Sequence, residues 1–83
     1  MIETKDNVYE VIRKNLRYYR KLKGMTQAEF AEAMNLSHDY VRQVESKKSN
    51  KNFSISTLQI AAQVLDIKIY QFFEDKEDIK IHN

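Results

Sequence analysis

The sequence predicts an all-α fold of five short helices in one bundle, and three features carry that prediction. Among 83 residues there is no proline and a single glycine, so little interrupts a helix. Apolar residues recur at helical spacing along most of the chain. Residues that cap helices stand at the ends of those periodic stretches.

The first helix opens at Asn7, with Glu10 placed to complete the cap, and carries Val8, Ile12, Leu16 and Tyr19 on one face. Gly24 follows a run of basic residues that suit a helix C-terminus, where a left-handed cap is needed. Met25 then drops into the core. Thr26 and Glu29 form the reciprocal capping box of a second helix, whose inner face holds Phe30, Ala31 and Met34. Asn35 enters the left-handed region readily and turns the chain. Ser37 caps a third helix with Val41 and Val44 inward and His38, Asp39, Arg42 and Gln43 outward. Ser54 caps a fourth, burying Ile55, Leu58, Ala61 or Ala62, and Leu65, and Asp66 ends it. Ile67 to Phe73 make a last short helix that contributes Ile67 and Phe72. The expected core is Ile12, Leu16, Tyr19, Phe30, Ala31, Met34, Leu36, Val41, Val44, Ile55, Leu58, Leu65 and Phe72.

Eighty-three residues allow one small domain, here 1–83, with a core over 7–73 and an acidic tail over 74–83. The absence of cysteine excludes disulfides, thiolate metal sites and cysteine nucleophiles, and His38 with His82 cannot hold a metal alone. No metal and no cofactor are expected. No apolar run approaches the length of a membrane span and no signal-peptide core opens the chain, so a soluble cytoplasmic protein without a membrane partner is expected. Nothing pairs a nucleophile with a base, which argues against an enzyme.

A net charge of +2 would not suggest nucleic acid, but its distribution does. From Arg13 to Lys51 there are ten Lys or Arg against four acids, Glu29, Glu32, Asp39 and Glu45. From Glu74 to Asn83 four acids face two lysines. A basic body with a mildly acidic tail suits a phosphate-facing surface. Two helices joined by the tight turn at Asn35, the second studded with polar residues, form the helix-turn-helix unit that sets its second helix in a major groove.

The stretch TQAEFAEAMNLSHDYVRQVE, Thr26 to Glu45, resembles the lambda-repressor and Cro-like family, also called XRE-type regulators. Gln27 matches the Gln that opens the first motif helix, and Ala31 the small residue where the two helices touch. Val41 and Val44 match the aliphatics of the recognition helix, and Glu45 the Glu that closes it. Asn35 departs from the family's usual Gly in the turn. The resemblance runs from about Val8 to Phe73. It implies a five-helix lambda-repressor-like DNA-binding bundle, helices 2 and 3 being the helix-turn-helix. It also implies a salt bridge between Arg20 and Glu45 that orients the recognition helix, residues 37–46, and dimerisation through the C-terminal helices.

Residue roles follow from chemistry and resemblance together. Arg42 offers a fork of donors to guanine, and Gln43 can pair with adenine or a neighbouring step. Ser37, His38 and Asp39 occupy the turn that enters the groove deepest in this family. Asp39 either accepts from a cytosine amino group or holds the guanidinium of Arg42 in place. Thr26, Gln27 and Ser46 are assigned to phosphates, as is Tyr40, whose competing use is packing against helix 2. Lys47, Lys48 and Lys51 stand in the polar segment SKKSNKNFS; this is either a solvated loop or a stretch that follows the backbone while its tip approaches a second subunit. Ile60, Tyr70 and Phe73 are left over from the core and assigned to a dimer interface, while Val11, Tyr18 and Leu22 form a second apolar stripe on helix 1. The expected function is that of a sequence-specific transcriptional regulator, a repressor or autoregulator, bound to double-stranded DNA as a homodimer on a palindromic operator. The competing reading is a helical protein-interaction module such as an antitoxin or adaptor, with an unknown protein partner.

Overall fold

The computed structural model describes residues 7–75, which form four α-helices and a closing 3₁₀ helix. The helices are α1 (Val8–Leu22), α2 (Gln27–Met34), α3 (His38–Glu45) and α4 (Ile55–Leu65), and the 3₁₀ helix spans Ile69–Phe73. The expected all-α class holds, while the count of five helices needs one correction: the last is a 3₁₀ turn rather than an α-helix from Ile67. Its five residues are too few for a stable α-helical ladder. Its end is fixed instead by buried Asn15 of α1, whose Nδ2 donates to the carbonyls of Phe72 at 2.7 Å and Glu74 at 2.8 Å. Among the described residues no helix is long and apolar enough to cross a membrane.

Three helices close in the same way. After α1 the left-handed residue is Gly24, and the N–H of Met25 donates to Arg20 O at 3.0 Å while that of Gly24 donates to Lys21 O at 2.9 Å. Asn35 (φ +59°) repeats the pattern after α2, with Leu36 N–H on Ala31 O and Asn35 N–H on Glu32 O. Asp66 (φ +58°) repeats it after α4, with Ile67 N–H on Ala62 O. This is the paired hydrogen-bond closure that satisfies the last carbonyls of a helix. Met25, Leu36 and Ile67, the residues after the turns, each pack against the core. One local device thus both ends a helix and drives an apolar side chain inward.

The core is where α1, α2, α3 and α4 meet, with α1 on the 3₁₀ helix and α3, and α2 on α3 and α4. Leu16, Phe30, Val41, Val44, Leu58 and Phe72 are fully enclosed. Ile12 and Leu36, expected inside, are only partly buried against this cluster. Ile55 is a correction: it is 65% exposed. It is the first residue of α4, beyond the edge of the packed layer, and Phe53 of the preceding loop takes the core place instead. Ala61 and Ala62 are both buried, where the pattern left one or the other. Tyr18 and Leu22 of the second stripe on α1 remain exposed. The N-terminal tail and the acidic tail beyond residue 75 lie outside the described residues.

Candidate nucleic-acid interface

The motif is built by its caps. Thr26 Oγ1 accepts from Glu29 N–H at 3.0 Å and Glu29 Oε1 accepts from Thr26 N–H at 2.9 Å, closing the capping box of α2. Ser37 Oγ accepts from Tyr40 N–H at 3.1 Å and starts α3. The left-handed Asn35 between them sets the angle. Short polar residues therefore determine where each helix starts and stops.

The C-terminus of α3 is fixed by a buried cluster around Glu45. Arg20 donates through Nε to Glu45 Oε2 at 2.8 Å and through Nη2 to Oε1 at 3.0 Å, a two-point ion pair. Both side chains are almost wholly enclosed. The same guanidinium donates through Nη1 to Met25 O at 2.8 Å. Gln27 adds Nε2 to Glu45 Oε1 at 3.0 Å, and Arg17 caps the helix through Nη1 to Glu45 O at 3.1 Å. One carboxylate thus joins α1, the N-terminus of α2 and the end of α3. Gln27, assigned to a phosphate, has its amide nitrogen committed here.

At the other end α3 presents its polar face. Asp39 and Arg42 pair one turn apart, each side chain about 60% exposed (62% and 60%). Gln43 donates through Nε2 to Asp39 Oδ2 at 2.8 Å. The carboxylate thus holds both candidate base readers at once. The hydrogen bond and then the charge of Arg42 keep the Asp39 carboxyl below the ordinary aspartate range, with lesser help from Gln43 and His38. Ser37 and His38 lie exposed beside them.

The segment 46–54 is folded by its own side chains. Ser46 Oγ accepts from Lys48 N–H at 3.2 Å, and Ser49 Oγ from Lys51 N–H at 3.0 Å. Asn52 anchors the far end: its Oδ1 accepts from Arg13 Nη1 at 3.2 Å, and its carbonyl accepts from the Tyr40 hydroxyl at 3.1 Å. The Tyr40 ring lies 5.7 Å from that of buried Phe53. Tyr40, assigned to a phosphate, thus commits its hydroxyl to this loop. Lys47, Lys48 and Lys51 are exposed along it, and Thr26 lies exposed at the start of α2.

Arg13, Arg17, Asn52 and Phe53 escaped the sequence reading. A usable signal existed for the arginines: positions 13, 17 and 20 fall on one helical face, and all three turn out to anchor α3 or its following loop. Ile60, Tyr70 and Phe73 are 46%, 61% and 41% exposed, apart from the α3 face. Phe73 also borders an open cleft of about 480 Å³ with Tyr9, Ile55 and Leu58.

Comparison with known proteins agrees with this architecture. Residues 16–72 match the helix-turn-helix family. The chain is 32% identical over 63 residues to the control protein C.SmaI of Serratia marcescens, covering 76% of this chain and 73% of that one. The structure of a hypothetical transcription factor, NHTF, from Neisseria superposes with a TM-score of 0.79 at 27% identity, over 98% of this chain and 92% of that one. SinR, a master regulator for biofilm formation solved in complex with DNA, superposes with a TM-score of 0.68 at 28% identity, over 76% of this chain and 98% of that one.

Proposed function

The chain belongs to the XRE-type helix-turn-helix family of DNA-binding transcriptional regulators, and from that premise we propose that it reads one palindromic operator as a homodimer. Each subunit lays α3 in a major groove, with half-sites about 34–36 Å apart along the duplex. Arg42 and Gln43 contact base edges, and Ser37 and His38 reach them from the first turn, which Asp39 shares. Lys47, Lys48 and Lys51 follow the phosphate backbone with Ser46, while Thr26 and the start of α2 at Gln27 meet it on the other side. The observation that carries this reading is the polarity of α3. Its far end is locked into the protein by Glu45, and its near end turns an ordered Asp39–Arg42–Gln43 cluster to solvent.

Tyr40 faces phosphate only if its hydroxyl leaves Asn52, so its contribution in the free protein is to hold the loop. Ile60, Tyr70 and Phe73 supply the two-fold contact. The chain represses or autoregulates by occupying its operator. That SinR was solved with DNA, and that the Serratia relative is a control protein, support this reading.

Selection of bound duplexes from a random pool tests it. The expected result is a two-fold symmetric consensus with a guanine step that Arg42→Ala relaxes at a cost of about 1–3 kcal/mol. A pool with no enriched sequence would overturn the proposal.

A further inference from the structure

We infer that Asp39 sets the selectivity of the interface: it disfavours DNA in general and is compensated only where a matching base step engages Arg42 and Gln43. The inference rests on the proposal that α3 reads DNA, and it adds a role that no base contact by Asp39 itself requires.

Most of the nearby acids are placed elsewhere. Glu45 is enclosed with Arg20, and Glu29 is committed to the cap of α2. Glu29 and Glu32 are also exposed, but they belong to α2; Asp39 is the exposed acid of α3 itself, in the helix's first turn beside Arg42 and Gln43. A carboxylate there repels the phosphates that Lys47, Lys48 and Lys51 attract, whatever the sequence.

Its second action is to occupy the readers. A guanidinium on a flexible stem binds any phosphate oxygen, because five donors in a fork accept many geometries. Held against Asp39 through one Nη2 hydrogen, Arg42 cannot swing to the backbone without abandoning its partner. Its Nη1 group and the second Nη2 hydrogen stay available for guanine O6 and N7, so the pair survives a specific contact. Gln43, donating one Nε2 hydrogen to Asp39, likewise keeps its other hydrogen and its oxygen for a base edge.

In open solvent an exposed pair of this kind is weak. Once the groove excludes water, the same pair strengthens, provided the guanidinium stays between the carboxylate and an acceptor-rich base. At a mismatched step the carboxylate faces the groove without that bridge. The cost therefore falls on wrong sequences.

The test measures Kd for the selected operator, for operators changed at one base pair each, and for a random duplex, using the wild-type chain, Asp39→Asn, Arg42→Ala and the double variant. Asp39→Asn should tighten binding to the random duplex several-fold and lower the operator-to-random ratio by about tenfold. In the Arg42→Ala background the same change should still tighten random binding but no longer alter preference at the guanine step. Two results overturn the inference. One is an Asp39→Asn variant that weakens both duplexes equally, which marks a merely structural side chain. The other is loss of preference at a single cytosine with random binding unchanged, which marks Asp39 as a direct reader. A wild-type chain that enriches no sequence would instead sink the DNA-reading proposal itself, and this inference with it.

Discussion

Glu45 is where three helices converge, and its charge is what balances the buried guanidinium of Arg20. Removing one partner of an enclosed ion pair leaves the other charge desolvated and unanswered, at a cost of about 3–5 kcal/mol. Glu45→Gln keeps the shape but not the charge, so urea unfolding should show a loss of nearly that size. A Glu45→Gln variant as stable as wild type would mean that hydrogen bonding alone holds the cluster. Asp39 illustrates the opposite regime, a pair in solvent. Its carboxyl titrates below the ordinary aspartate range because Arg42 hydrogen-bonds and charge-stabilises the ionised form. The associated stability is present above the unfolded pKa and fades as pH falls through the folded one. Carboxyl NMR should place its midpoint below that of a reference aspartate, and Arg42→Ala should move it back up.

Two elements carry predictions of their own. The closure of α4 depends on Asp66 at φ +58°, where an L side chain is strained and glycine is not. Asp66→Gly should therefore stabilise by about 0.5–1 kcal/mol, part of the relief being offset by the freer unfolded chain. Thermal melting checks it, and a lowered Tm would show that the Asp66 side chain contributes something the turn needs. The loop 46–54 depends on Asn52, held by Arg13 and Tyr40. Each lysine–phosphate contact adds about 0.9 to the slope of log affinity against log salt. Lys48→Ala should lower that slope by about this amount for every sequence alike. Asn52→Ala, which removes no charge, should lower it too if the anchor keeps the lysines on the backbone. An unchanged slope would separate the loop's fold from its phosphate contacts.

At the scale of the whole molecule, the proposed homodimer would join two half-sites, and linking them multiplies discrimination. Ile60, Tyr70 and Phe73 stay exposed after the core is filled, which is costly for a small domain unless a partner covers them. The 3₁₀ helix carrying Tyr70 and Phe73 is pinned by Asn15 and by Gln71, whose Nε2 donates to the Tyr19 hydroxyl at 3.1 Å. Tyr70 and Phe73 are thus presented on a fixed element. Tyr70→Asp should shift sedimentation toward monomer and weaken operator binding while leaving helical circular dichroism intact. A variant that stayed dimeric would move the interface elsewhere.

The helix-turn-helix motif was legible before any folding, because its caps and its buried faces are local features. Thr26 with Glu29, the left-handed Asn35 and Ser37 act within a few residues, and the helical spacing of Phe30, Ala31, Met34, Val41 and Val44 marks the buried faces. The Arg20–Glu45 pair was reachable only through family resemblance, since nothing in the spacing of two residues 25 apart names them as partners. Tertiary structure alone decided the rest. Whether Phe53 or Ile55 fills the edge of the core depends on how the loop returns across Tyr40, not on the pattern of α4. Arg13 meets Asn52 across 39 residues, and Asn15 meets Phe72 across 57. Such contacts join groups far apart in the chain, side chain to side chain in the first and side chain to backbone carbonyl in the second, whose local preferences say nothing about each other. Packing brings them together, and packing is set by the sum of all the faces at once.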